Sequence, residues 1–268
     1  MTDHRPSSTQ KSAEPRTRKR FALTGRSQKV DRRVEAARGD LADLRLADRI
    51  FAPHYAGAVQ RSGAIRSPML AAHGGRPVSE LLEGEGFEVL ELSHGYAWGV
   101  GSVDGAVGFV AVDALDTPRA VTHVVCSPGA ARPMGTRLTA EQAAEFDPDA
   151  IRPLDAPPKD FVALAEALVG TPAVDGGRSS DGIDAAGLIA LTLSIAGIRA
   201  PRFADLQAAT LGHEVSADAP VLRGDLLFTA SGAAVAIDGT DAIRVDETHV
   251  AHAPIASLGD ITVRRRLP

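Results

Sequence analysis

The stretch Gly176–Leu193 reads GGRSSDGIDAAGLIALTL. Two glycines and a polar turn lead to Asp184, and an uninterrupted apolar run follows. A carboxylate at that point can accept from the first free amides of a helix, so Asp184 is expected to be an N-cap. Ala185–Gly197, AAGLIALTLSIAG, is apolar on every side, which places this helix in the middle of a domain. A turn of this kind presents the first helical residue where the positive end of the helix dipole would help ionise a nucleophile. The residue at that position is Ala185.

Outward from this helix, FVALAEALVG at Phe161–Gly170 has amphipathic spacing and a glycine stop, predicting a second helix. Downstream, RGDLLFTA, GAAVAID and DAIRVD read as three short strands with a tight turn at Asp238–Gly239, and TVRRRL reads as a last one. Helices grouped before antiparallel strands predict an α+β domain over 158–268. Upstream, GFEVLEL (Gly86–Leu92), YAWGVGS (Tyr96–Ser102) and AVGFVAVDAL (Ala106–Leu115) are short alternating segments separated by the turns SHG and VDG. Strands so short and closely spaced suggest a small β-barrel, which removes exposed edges. VEAARGDLADLRLADRI, Val34–Ile50, has near-helical apolar spacing and is expected to be a lead-in helix to that barrel, the two spanning 34–116. Within 117–157 only THVVCSP reads as a strand, and IRPLDAPPKD, with its prolines, reads as a linker.

The first 33 residues include RTRKR at Arg16–Arg20 and DRR at Asp31–Arg33, with few large apolar residues; they read as a solvated basic arm able to meet anionic partners. The whole chain has 29 Lys and Arg against 34 Asp and Glu, net −5, which gives no general reason to expect nucleic-acid binding. No apolar run approaches a membrane span, and the arm lacks a secretory h-region, so the expected location is the cytoplasm. One cysteine, Cys126, excludes an internal disulfide framework and an all-cysteine metal site. It sits on the predicted strand THVVCSP, where a buried structural role is expected.

GTPAVDGGRSSDGIDAAGLI, then PRFADLQ, RGDLLF and a strand ending in DG, together resemble the NlpC/P60 cell-wall peptidases. These are papain-like cysteine endopeptidases that cut peptidoglycan stem peptides between D-glutamate and the diamino acid. GYAWGVGSVDGAVGFVAVDAL resembles the bacterial SH3-like domains that precede such enzymes, and DRRVEAARGDLADLRLADRI looks like the lead-in of alphaproteobacterial members. The resemblance implies an SH3-like barrel, a shortened second SH3-like segment over 117–157, and a papain-like domain over 158–268.

It also implies where catalysis would sit. The family places a cysteine after G-I-D, and Ala185 stands there; a methyl group cannot attack. The base, a histidine at the start of the strand after GDLLF, corresponds to Gly232, counted back from the Asp238–Gly239 turn. The polar residue that orients the base corresponds to Arg244, which only donates. Ala173 and Asp175 replace the usual Tyr and Trp, and Ala186 replaces a serine. One cysteine-to-alanine change could be a trapping device, but five further departures cannot, and the chain reads as a natural pseudoenzyme with a substrate groove at Ala173, Asp175, Gly176, Gly177, Arg178 and Asp184.

A substitute triad of Ser180, His249 and Asp246 is conceivable; the simpler reading is that Ser179 and Ser180 bond the turn backbone and that His249 is a surface residue. His249 and His252 make a weak metal pattern, and no metal or cofactor is expected. The resulting expectation is a non-catalytic binder of a protein partner, preferred slightly, or of a peptidoglycan fragment, with envelope association and oligomeric state left open. The alternatives are an active hydrolase with a relocated site, and a spacer anchored by the basic arm.

Overall fold

A computed structural model describes residues 29–268. Most of the basic arm therefore lies outside the described residues. Its last residues are exposed or half-buried but tied to the fold: Arg33 pairs with Asp31 and, 2.6 Å away, with Asp205, and its guanidinium lies over the Phe203 ring.

Val34–Ile50 is not a helix. It contains a short strand, β1 (Leu41–Asp43), which pairs in parallel with β2 (His54–Ala56), followed by one 3-10 turn. The Asp43 carboxylate accepts from the Arg45 amide and pairs with its side chain, closing the turn. Ala37, Ala42 and Leu46 of this stretch instead pack with Ala52, beyond its end, in a small separate core. Their spacing satisfied this packing as well as it would have satisfied a helix, so periodicity alone could not decide.

Seven strands follow: β3 (Val59–Gly63), β4 (Ser67–Leu70), β5 (Pro77–Leu81), β6 (Gly86–Ser93), β7 (Tyr96–Gly101), β8 (Val107–Ala111) and β9 (Leu115–Asp116). They form one antiparallel sheet in the order β5-β4-β8-β7-β6-β3-β9, whose end strands are not paired with each other. The SHG signal becomes the β6–β7 turn, with His94 and Gly95 both at positive φ, 52° and 79°, as a tight hairpin of the right twist requires. Met69, Leu81, Phe87, Val89, Ala97 and Val110 fill the core.

Residues 117–157 hold more structure than the sequence suggested. β10 (Val121–Val125), β11 (Arg137–Thr139) and β12 (Ile151–Pro153) make a three-stranded sheet in the order β11-β10-β12. A one-turn helix, α1 (Ala140–Ala143), is closed by a capping box between Thr139 and Gln142. The expected linker thus begins as an edge strand, where Pro153 sits at no cost because the outer side needs no amide donor.

The rest surrounds the predicted central helix. α2 (Phe161–Ala167) is capped by Asp160. A tiny ladder, β13 (Arg178–Ser179) with β14 (Gly182–Ile183), leads into α3 (Ala185–Ile195), and α4 (Ala204–Thr210) follows. β15 (His213–Glu214), β16 (Leu226–Thr229), β17 (Gly232–Ala236), β18 (Asp241–Val245), β19 (Val250–Pro254) and β20 (Ile261–Arg266) form an antiparallel sheet ordered β15-β20-β16-β17-β18-β19. α3 is buried on two sides, which explains its uniform apolarity. Leu188, Leu191 and Ile195 pack with Val124, Met134 and Ile243, while Ile189 and Leu193 pack with Phe228 and Val235. Val124 and Met134 thereby draw the three-stranded segment into the main core. No helix among the described residues is long and apolar enough to cross a membrane.

Candidate functional site

The site begins at the N-terminus of α3. Asp184 caps it, accepting from the Gly187 amide at 2.7 Å and, with its other oxygen, from the Gly176 amide at 3.0 Å. The same carboxylate takes a bidentate pair from Arg202, at 3.0 and 2.5 Å. Four donors saturate it, so Asp184 is a structural clamp with no capacity left for a ligand. Helix and turn approach so closely that a Cβ on Gly187 would stand 2.1 Å from the Gly177 carbonyl oxygen. That contact requires glycine. Arg202 was not identified as a site residue from sequence, although PRFADLQ was; its signal is a charged residue set among apolar neighbours, and its side chain is buried.

Of the three positions assigned to nucleophile, base and orienting group, Gly232 lies beside Ala185 and shares a depression with Arg244. A Cβ built on Gly232 would lie 3.7 Å from the Ala185 Cβ, with nothing else within 4 Å. Gly232 and Arg244, on neighbouring strands β17 and β18, line one shallow depression of about 30 Å³ with Thr229 and Ser231. The juxtaposition is one in which a thiol and an imidazole could meet within hydrogen-bond reach. What stands there is a methyl group, a hydrogen and a guanidinium, none of which is a nucleophile or a proton acceptor at neutral pH.

The other candidate residues separate. Ser180 Oγ accepts from the Met134 amide at 2.9 Å, and Ser179 Oγ is buried without a partner, so neither serine bonds the turn backbone as expected. Asp246 and His249 are together, with His249 Nδ1 3.6 Å from Asp246 Oδ1, but in a capping turn. Asp246 Oδ1 accepts from the amides of His249 and Thr248 and from the Thr248 hydroxyl. Those donors, the two amides foremost, push its pKa down to about 2. His249 Nδ1 lies 2.6 Å from the Thr248 hydroxyl, and no bond links it to Ser180. His252 is on β19 opposite Ile243, and among the described residues no group of three or more His, Cys, Asp or Glu side chains could hold a metal ion.

The groove assignment also needs revision. Asp175 is exposed, and Ala173 is half-buried and held by its amide to the Thr248 carbonyl. Gly176 and Arg178 instead face the seven-stranded sheet, where a Cβ on Gly176 would meet Pro77 at 2.8 Å, whereas one on Gly177 would meet the Gly182 carbonyl oxygen of β14 at 2.5 Å. Arg178 is buried in the junction, its Nη2 bonded to Glu85 at 2.5 Å and to the Glu80 carbonyl at 3.0 Å. Its Nε stands 3.2 Å from Asp104, and its amide donates to the Glu80 carboxylate. Burial opposes the guanidinium charge, and Glu85 and Asp104 outweigh that opposition, so its pKa is raised. The turn that would frame an active site is thus the joint between the two large sheets. Cys126 lies elsewhere, half-buried beside the Asp149 carbonyl, and burial pushes its thiol pKa up.

No protein-family model matches the chain, and no curated protein matches it. Solved structures do. An NlpC/P60 family protein from Bacillus cereus ATCC 10987 superposes with a TM-score of 0.68 at 16% identity, over 78% of this chain and 100% of that one. An NlpC/P60 endopeptidase from Photobacterium damselae subsp. piscicida gives a TM-score of 0.55 at 13% identity, over 74% of this chain and 66% of that one. Over roughly three-quarters of its length, the chain therefore has the fold of NlpC/P60 family proteins.

Proposed function

We propose that this chain is a non-catalytic NlpC/P60-like protein that works by binding, with a protein partner preferred over a peptidoglycan stem peptide. In this reading the seven-stranded sheet is the SH3-like unit, residues 117–157 are a shortened second one, and residues 158–268 are the papain-like unit. The observation that supports it is that Gly232 lies beside Ala185 and shares a depression with Arg244, the three residues that the resemblance aligns with base, nucleophile and orienter. A cysteine–histidine mechanism needs a thiolate, an acceptor for its proton and a group that holds the imidazole. This chain supplies none of them at those positions, and Ser180 and Cys126 are engaged elsewhere. The saturated Asp184 and the replacements Ala173 and Asp175 weigh against ordinary stem-peptide recognition and favour a protein surface.

The test is turnover of peptidoglycan and of a D-glutamyl-diamino acid peptide by the purified chain. No cleavage is expected from the native protein or from Ala185→Cys, which restores a thiol without a base. Cleavage by the native protein that persists in Cys126→Ser would overturn the proposal, and cleavage by Ala185→Cys alone would show that the base was misplaced. Ala185→Cys/Gly232→His/Arg244→His completes the set, and a Cβ at Gly232 meets only the residue-185 Cβ, at 3.7 Å. Affinity capture from native cells, scored separately for murein fragments and for proteins, decides the partner class.

A further inference from the structure

On a different face, two cavities of about 280 Å³ and 270 Å³ adjoin where the seven-stranded sheet, the three-stranded sheet and the C-terminal end of α3 converge. Ser102, Val103 and Arg137 line both, so Arg137 stands in their common wall. Arg199 lines the first cavity, and Arg61 and Arg119 line the second. Neither lining contains an aspartate or a glutamate, in a chain whose acidic residues outnumber its basic ones, 34 to 29.

Arg137 and Arg199 differ from the ion-paired arginines described above. Arg119 is paired with Asp116 at 2.6 Å. Arg61 reaches only the Gln60 carbonyl, at 3.4 Å. Among the described residues, Arg137 and Arg199 make no ion pair, and the Arg137 Nε is shielded from solvent with no hydrogen-bond partner. The Arg137 Nη groups, which make no hydrogen bond or ion pair among the described residues and are not shielded, are the donors open to a ligand, and an oxyanion is the complement that the planar fork fits best. The carbonyls at the end of α3 disfavour an anion close to Ser194. The ligand's charge therefore belongs at Arg137, on the side shared with the second cavity.

We propose that this acid-free groove binds a small ligand carrying a phosphate or carboxylate group, with Arg137 as the central donor and Arg199 as a flanking cation. Its size is near the lower end for small-molecule sites. The proposal does not rest on the absence of catalysis.

Calorimetric titration of the full chain with inorganic phosphate and with glutarate tests it. At least one probe is expected to bind saturably and more weakly as salt rises, and which one binds separates a phosphate ligand from a carboxylate. Arg137→Gln is expected to weaken binding about tenfold, the loss of one charge-assisted contact, while Arg223→Gln, which lines neither cavity, leaves it unchanged. Absence of saturable binding by both probes overturns the proposal, as does undiminished binding in a folded Arg137→Gln. If that variant fails to fold, Arg199→Gln, at an exposed position, decides: unchanged affinity overturns the site and weakened affinity supports it.

Discussion

Replacing Arg178 by methionine tests the most heavily charged part of the interior. Arg178, Glu85 and Asp104 have side chains only 1%, 3% and 2% exposed, so the change leaves two buried carboxylates without the counter-charge they share. Glu80, which also surrounds Arg178, retains Arg66 at 2.7 Å. Breaking a buried pair by removing one partner costs about 3–5 kcal/mol. For a chain of this size each kcal/mol moves the melting temperature by about 2–4 °C, so a fall of roughly 6–20 °C is expected. The pair's net contribution is a separate quantity. Arg178 Nη1 has no hydrogen-bond partner, so the cluster is imperfectly compensated even in the native protein. Arg178→Met/Glu85→Gln/Asp104→Asn should therefore recover most of the loss, since neutral amides keep the acceptors used by the Leu82 and Ala106 amides. Urea and thermal unfolding followed by circular dichroism measure both, and two separated transitions in the single variant would fit a weakened joint between the sheets. A single-variant cost below about 1 kcal/mol, or a triple variant no better than the single, would refute the electrostatic argument.

Three further outcomes follow from the same structure. The Asp246 carboxylate has a folded pKa near 2, below its unfolded value, so the turn it holds is stabilised above about pH 4 and loses that support as pH falls toward 2; a carboxyl NMR titration with a midpoint near the ordinary aspartate value would contradict this. The Cys126 thiol, pushed up by burial, should label slowly with thiol reagents at neutral pH and faster only in alkali, and rapid neutral labelling would place it in a different environment. Gly187→Ala should lose several-fold more stability than the gain of about 1 kcal/mol that alanine brings in a helix interior, because its methyl group would enter the Gly177 carbonyl; an unchanged melting temperature would show that the turn can move aside.

The legible parts of this fold are those whose causes are local. The Asp184 cap, the apolar α3 and the hairpins flanking His94–Gly95 and Asp238–Gly239 are each specified within a few residues. Val34–Ile50 misled because its alanines fit a helical stripe while their actual partners lie around Ala52. β12 and β19 were missed because both are edge strands, with prolines at Pro153 and Pro254 and few β-branched residues. At the site, the turn at Asp238–Gly239 was enough to count back to Gly232, and the structure sets Gly232 beside Ala185. Arg178 was misassigned for a long-range reason: its partners Glu80 and Glu85 lie 98 and 93 residues away in sequence. Arg202 was overlooked likewise, since its pairing with Asp184 across 18 residues leaves no local periodic trace.

The turn before α3 serves as a keystone, and this separates two things that its signature usually binds together. Gly176, Arg178, Asp184 and Gly187 are fixed by docking and by close backbone contact, whereas the Cβ space of Gly232 is open and Ala185 stands at its rim. The side chains that would do chemistry are therefore detachable without disturbing the masonry around them. A molecule built this way can shed a reaction, or regain one, while every residue that makes its fingerprint recognisable stays in place.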